Sequence, residues 1–272
     1  TRRPALRAGF GRLNRVMIRD LDCKTLFLQS YSEYPSLMST NSLALTALSP
    51  LDGRYQSQTA VLGNYFSEWA LFKYRVLVEW LYLQALCDAN LVGGPVMDPK
   101  VRQDLDQRFR AFGVDDAQRI KEIEQTTLHD IKAMEYWMKG CLEENGGAAL
   151  KEWVHFGLTS QDINHTAVPM SLRDARQVVI VPALEQLLHK LRNLALEWLD
   201  LPMLARTHGQ PASPTRLGKE FLVWVERLER QLKMLHDVPV GAKFGGATGN
   251  FNAHHLVWPQ TDWPAFADRF VQ

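Results

Sequence analysis

Polar segments interrupt an otherwise apolar, helix-like pattern in this chain, and they hold the residue types that could do chemistry, because sites are usually built on the stretches that join rigid elements. They are Gly53-Arg54-Tyr55, Thr126-Thr127-Leu128-His129-Asp130, His155-Phe156-Gly157-Leu158-Thr159-Ser160-Gln161-Asp162-Ile163-Asn164 and Arg206-Thr207-His208-Gly209-Gln210-Pro211-Ala212. A Gly-rich stretch, Lys243-Phe244-Gly245-Gly246-Ala247-Thr248-Gly249-Asn250-Phe251-Asn252, follows them. It has neither the Lys-Ser/Thr ending of a phosphate loop nor a preceding strand, so it reads as a bend between helices, with Lys243 and Asn250 as candidate ligand contacts. Thr159 and Ser160 suit a helix cap, and at a positive helix end their hydroxyls and backbone N–H groups would also hold a carboxylate or phosphate; capping alone explains such residues more often than not. His129 and Asp130 are adjacent, and helix neighbours at i and i+1 do not face each other, so Asp130 is not expected to orient His129. A lone loop histidine such as His208 is more often a surface group than a catalyst. Only the constellation gives it weight.

The elements that must position these residues read as helices. From Gln58 to Asn90 apolar residues recur at helical spacing, with Val61, Tyr65, Trp69, Phe72, Val76 and Trp80 on the stripe, so one long buried helix is expected. A shorter helix opens at Pro99, and another runs from Ile120 to Leu142 with a break at Gln125-Thr126-Thr127 and a stop at Asn145-Gly146-Gly147. Thr159 to Asp162 precedes a pattern reaching Asp200, a rod of roughly 55 Å at 1.5 Å per residue, which Pro169 and Pro182 should kink. Its β-branched run Val178 to Val181 sits among Leu, Ala, Arg, Glu and Gln, so helix is preferred to strand. Pro214 to His236 is again helical, and no alternating strand stands out. The expected class is all-α, with helices too long for one small monomer to bury, which implies an intersubunit bundle.

Composition narrows the function classes. With 46% hydrophobic and 22% charged residues in 272, the chain is of the ordinary globular kind. Lys+Arg 31 against Asp+Glu 30 leaves no bulk field for nucleic acid or anionic lipid, so neither is an expected partner. Cys23, Cys87 and Cys141 are odd in number and lack a CxxC pair, which fits a reducing compartment and offers no zinc ligand set. No apolar run approaches the roughly 18 residues of a membrane span. Thr1 to Met38 is rich in Arg, and it reads as an extension that is either disordered or a targeting segment, with the fold beginning near Asn41. A cytoplasmic location is expected, or an organellar one if residues 1–38 act as a transit peptide.

Taken together, Thr159-Ser160-Gln161-Asp162-Ile163-Asn164, Thr207-His208-Gly209-Gln210-Pro211-Ala212 and Lys243-Phe244-Gly245-Gly246-Ala247-Thr248-Gly249-Asn250 resemble the adenylosuccinate lyase family of the fumarase/aspartase superfamily. Leu48-Ser49-Pro50-Leu51-Asp52-Gly53-Arg54-Tyr55 resembles the opening of its bacterial-type subgroup, and the likeness runs from about Ser42 to Gln272. With residues 1–40 as the extension, the resemblance implies 41–150 as an N-terminal helical domain and 151–272 as part of a long central helical bundle. It also implies β-elimination across a C–N bond, releasing fumarate from adenylosuccinate and from the succinylated aminoimidazole carboxamide ribotide of purine synthesis. That chemistry needs a base for a carbon-bound proton, stabilisation of the carbanion and an acid for the departing nitrogen, a task a histidine of pKa about 6.5 can perform. By resemblance His208 is the acid and His129 assists at the substrate. Arg54 and Tyr55 hold the phosphoribosyl end, Asp130, Gln210, Lys243 and Asn250 contact substrate, and Thr159 with Ser160 bind the succinyl carboxylates. His155 lies where related lyases also carry a His.

The family pattern further implies a homotetramer in which each active site draws loops from three subunits, and no metal, flavin, nicotinamide or pyridoxal cofactor. Its third signature, a Gly-Ser-Ser-rich loop with the serine proposed as general base, would lie beyond Gln272, so the chain reads as a fragment of a longer protein. Leu128 stands where the bacterial type often has Asn, Gly245 where Ser is usual and His165 where Asn is usual. Two alternatives stand beside this reading: another amino-succinate lyase, such as one acting on argininosuccinate, and a non-catalytic helical scaffold.

Overall fold

The computed structural model describes residues 46–272. The extension expected over residues 1–40 lies outside the described residues. A turn at 49–55, closed by Tyr55 N–H donating to the Pro50 carbonyl, leads through the short helical pieces Gln56–Thr59 and Gly63–Phe66 into α1, Glu68–Asp88. The single helix expected from Gln58 is therefore broken at Ser67. That residue is extended, with φ −74 and ψ 162, and its hydroxyl accepts the Ala70 N–H at 3.1 Å, so Ser67 works as an N-cap inside an apolar stripe that periodicity alone reads as continuous.

α1 is the axis of the core. Phe72, Trp80, Tyr82, Leu83 and Leu86 on it are fully buried, and its burial leaves no clean amphipathic stripe because it is covered on nearly all sides. Around it pack α2 (Pro99–Arg110), α3 (Val114–Thr127), α4 (Asp130–Glu144) and α5 (Ser160–Ala175). Asp98 caps α2 by accepting the Lys100 N–H at 2.8 Å, with Pro99 in the first turn as expected. The break expected near Thr127 falls at Leu128, which ends α3 in the left-handed region at φ 53. α4 stops at Glu144 before Gly146, at φ 79.

α5 continues through a π-helical segment, Arg176–Ile180, into α6, Val181–Glu197. The β-branched run is helical, as expected, and the interruption shows as a π-turn just before Pro182, the residue that cannot donate to the ladder. Pro169 sits inside α5 without ending it. After α6 the chain forms what the sequence did not announce: an antiparallel hairpin of β1, Pro202–Thr207, and β2, Gln210–Arg216. Its strands carry Pro202, Pro211 and Pro214 and no alternating apolar face, so the usual strand signal is missing. The connection of His208 and Gly209, at φ 50 and φ 75, has the double positive φ of a two-residue hairpin turn.

α7 starts at Leu217 rather than at Pro214, which belongs to β2, and runs to Asp237 antiparallel to α6. Gly218 sets that crossing. A Cβ there would lie 2.2 Å from the Ala195 carbonyl oxygen, and its own N–H donates to the Trp198 carbonyl at 2.9 Å. α6 and α7 bury few side chains, and Leu187, Leu196, Leu222, Trp224 and Met234 remain exposed on them. The Gly-rich segment then crosses back to the core as coil, and Phe251 and Trp258, which flank α8 (Asn252–Val257), join α9 (Trp263–Val271) in a second apolar cluster with Tyr82 and Leu86 of α1.

Candidate active site

The N-terminus of α5 is the most completely built part of the site. Thr159 is extended and makes no side-chain cap bond; the cap comes from Asp162, whose Oδ2 accepts the Thr159 N–H at 2.8 Å. Asp162 is fully buried. The same oxygen accepts the Gly246 N–H at 3.0 Å, while Oδ1 accepts the Gly245 N–H at 3.0 Å and the Lys243 ammonium at 2.7 Å. Lys243 also donates to the Gly246 carbonyl. Capping thus falls to Asp162 and leaves the Thr159 hydroxyl outside it, beside Ser160 at the positive end of a helix, where a carboxylate is favoured.

A second turn is linked to α5 through Arg75. Left-handed Leu128 reverses the chain, and extended His129, at φ −154, caps α4 by accepting the Lys132 N–H on Nδ1 at 3.3 Å. A neutral imidazole that accepts on Nδ1 carries its proton on Nε2, so His129 can offer a donor there. Asp130 Oδ1 comes to 3.5 Å from Nδ1, but an Nδ1 that accepts the Lys132 N–H has no proton to give a carboxylate, so the contact does not orient the neutral ring. Asp130 is gripped by Arg75, NH1 to Oδ2 at 2.8 Å. Burial opposes its charge, yet the Ile131 amide and Arg75 hold its carboxyl below the usual range. Arg75, itself buried, donates from Nε to Asn164 Oδ1 at 2.9 Å, so one guanidinium ties the His129 turn to α5.

A chain of ionisable groups, running from half-exposed Lys132 to buried Glu79, supports the loop that enters α5. His155, at φ 62, places Nδ1 2.5 Å from Glu79 Oε1, with Glu135 3.8 Å from Nε2, and Lys132 pairs with Glu135 at 2.5 Å. Burial works against a charged His155, but Glu79 and then Glu135 outweigh it and raise the imidazole pKa. Burial likewise raises Glu79, with the His155 contacts opposing it. Next to this loop His254 is wholly enclosed by Tyr82, Phe156, Phe251 and Trp263, with Nε2 2.9 Å from the Tyr82 hydroxyl. Gly157, at φ 69, lies flat on that ring; a Cβ would come within 2.6 Å of it.

The other expected residues are exposed. His208 stands at the tip of the hairpin and Gln210 opens β2, and among the described residues no hydrogen bond or ion pair joins His208 to the His129 or Thr159 segments. Arg54 lies over the Tyr55 ring at 5.7 Å in the opening turn, and Asn250 donates to the Thr248 hydroxyl at 3.4 Å. The structure thus brings together His129, Asp130, Thr159, Ser160 and Lys243 through Arg75, Asn164 and Asp162. It leaves His208, Gln210, Arg54 and Tyr55 apart. Among the described residues no group of three or more His, Cys, Asp or Glu side chains could hold a metal ion, and no helix is long and apolar enough to cross a membrane.

Residues 53–267 match the family model described as Lyase. The chain belongs to that lyase family. It is 49% identical over 238 residues to the adenylosuccinate lyase of Dictyostelium discoideum and 42% identical over 230 residues to that of Escherichia coli strain K12. Each likeness covers 84% of this chain and 50% of the relative, so the chain spans about half the length of the curated relatives it matches. In fold it is similar to a fumarate lyase from Mesorhizobium sp. BNC1, with TM-score 0.61 at 21% identity over 78% of this chain and 47% of the other. A β-carboxy-cis,cis-muconate cycloisomerase from Acinetobacter calcoaceticus gives TM-score 0.59 at 20% identity. The mostly helical architecture expected from the sequence agrees with these folds.

Within this lyase fold, Arg75 and Asp162 were not singled out from the sequence. The signal for Arg75 was present: Arg75 and Glu79 stand at i and i+4 on one face of a helix whose other buried positions are nearly all apolar. Asp162 stood in view as the third residue after Thr159, the position from which an acidic side chain reaches back to the cap.

Proposed function

We propose that the protein this chain belongs to is an adenylosuccinate lyase, cleaving adenylosuccinate to AMP and fumarate, and the succinylated aminoimidazole carboxamide ribotide to the free ribotide and fumarate. The observation that carries this reading is the coupled pair of turns: Arg75 holds the His129–Asp130 turn against the N-terminal part of α5, in a chain whose relatives bear that name. Thr159 and Ser160 at the helix end bind the succinyl carboxylates, and His129 offers its Nε2 donor beside them. His208 protonates the departing nitrogen, and Arg54 with Tyr55 take the phosphoribosyl end. The Asp130, Gln210 and Asn250 side chains contact substrate. The base is not assigned to a residue of this chain.

His208 sits on a separate hairpin, which fits a site completed by a neighbouring subunit. The uncovered apolar face of α6 and α7 supports a homotetramer whose central bundle buries it, because rods this long bury little within one chain. A competition assay on the full-length protein tests the substrate assignment. Fumarate release from adenylosuccinate, inhibited by AMP, is expected; release from argininosuccinate, or indifference to AMP, would overturn it and favour the other amino-succinate lyase.

A further inference from the structure

We propose that Lys243 and Asp162 form a positioning pair, acting on the succinyl end of the substrate only through Thr159 and the Gly245–Gly246 backbone. The inference rests on the lyase reading for what Thr159 binds, and on geometry alone for the pair itself. Asp162 is fully buried, and an unpaired carboxylate there would be costly. Its two oxygens take four donors: the Thr159, Gly245 and Gly246 N–H groups and the Lys243 ammonium. Such a carboxylate has about four acceptor sites, so Asp162 has none left for a ligand.

Lys243 is the only cation among those four donors, and it comes from the coil after α7, 81 residues from its partner in the chain. It also donates to the Gly246 carbonyl, so two of its three N–H bonds are committed to protein. One carboxylate therefore joins the start of α5 to the Gly-rich segment. The glycines are fitted to that role. Gly245 and Gly246 take φ 146 and φ 80, which lets consecutive N–H groups converge on Asp162, and a Cβ on Gly246 would stand 3.4 Å from the Gly157 carbonyl oxygen. Without the ammonium the buried charge keeps only neutral donors, so the Gly-rich segment loosens and Thr159 loses its fixed orientation. Sequence alone offered Lys243 as a direct substrate contact; the pair gives it a different task.

The test is a double-substitution cycle in the full-length protein with Lys243→Met, Asp162→Asn and both together, and Lys243→Arg as the conservative control. In the single variants the inhibition constant of fumarate is expected to rise at least tenfold while that of AMP changes less than twofold, since only the carboxylate end is disturbed. The double variant should match the weaker single within about twofold, and Lys243→Arg should retain near-normal values. Multiplied effects in the double variant would show Lys243 touching substrate independently of Asp162 and overturn the proposal. Equal shifts for fumarate and AMP, as a general loss of structure would give, would also overturn it. Should Asp162→Asn fail to fold, hydrogen exchange on Lys243→Met decides: at least tenfold lower protection of the Thr159, Gly245 and Gly246 amides is expected, and unchanged protection refutes the pair. That readout needs no turnover, so it stands even if the protein proves inactive on adenylosuccinate, an outcome that would defeat the lyase reading instead.

Discussion

At the scale of single residues, the groups that matter most are buried polar side chains held by partners far away in sequence. Asp162 and Arg75 each have several, whereas Glu79 meets His155 through Oε1 alone and has no partner on Oε2; each fixes a loop next to a candidate substrate contact. His254 is different, for it is buried with one ring nitrogen on Tyr82 and no hydrogen-bond partner on Nδ1. Burial pushes its pKa down to about 4, against the pull of the Asp162 carboxylate. A base depressed in the folded state is charged more easily when unfolded, so its contribution is complete above pH 6.5 and is lost as the pH falls toward 4. The expected loss is about 3 kcal/mol across that window, at 1.36 kcal/mol per unit. Urea unfolding between pH 7 and 4 should show this decline, and His254→Gln should flatten it; an equal decline in the variant would assign the acid sensitivity to other groups. Sequence alone did not single out His254 or its cage. Its partners come from α1, the loop before α5 and α9, and only the fold assembles them.

At the scale of elements, periodicity served where one face of a helix meets the core and failed where local hydrogen bonding takes over. The start of α2 and the end of α4 were legible because Pro99 and Gly146 are residue types whose backbone preferences mark helix ends. Ser67 escaped because a capping serine inside an apolar run does not disturb the pattern. The hairpin escaped because its strands are mostly exposed and rich in proline, and a His-Gly pair is a weak turn signal beside Asn-Gly. Leu128 connects backbone to chemistry at this scale. It is exposed and left-handed at φ 53, a conformation that strains a leucine and that asparagine tolerates better. The Leu128→Asn variant should therefore be more stable by up to about 1 kcal/mol, read as a higher thermal midpoint. A lower midpoint would mean that the leucine side chain stabilises the turn in a way its exposure hides.

At the scale of the whole molecule, two apolar clusters share α1, and the paired rods α6 and α7 carry the hairpin with His208 at its tip. The first cluster includes Val154, Ile163 and Ala167 beside residues of α1, α3 and α4, so the start of the region read as the central bundle packs directly on the N-terminal helices. The division near residue 150 remains a proposal about the longer protein. Helical architecture was legible because most of the chain obeys one period, and the candidate site was legible as separate polar segments. Their mutual arrangement was not, since Arg75 and Asp162 join segments far apart in sequence. The exposed apolar faces of the rods and the isolation of His208 have one explanation in the proposed tetramer, where the hairpin of one subunit serves the His129 and Thr159 turns of another. The most direct test is turnover of adenylosuccinate by the full-length protein and its His208→Ala variant, with fumarate as the readout and circular dichroism as the control for folding. Fumarate release by the parent and a fall of about a hundredfold to ten-thousandfold in kcat for a folded variant are predicted, the range removed with a general acid. A folded His208→Ala variant with near-normal turnover would contradict the role given to the hairpin, and with it the arrangement of the site across subunits.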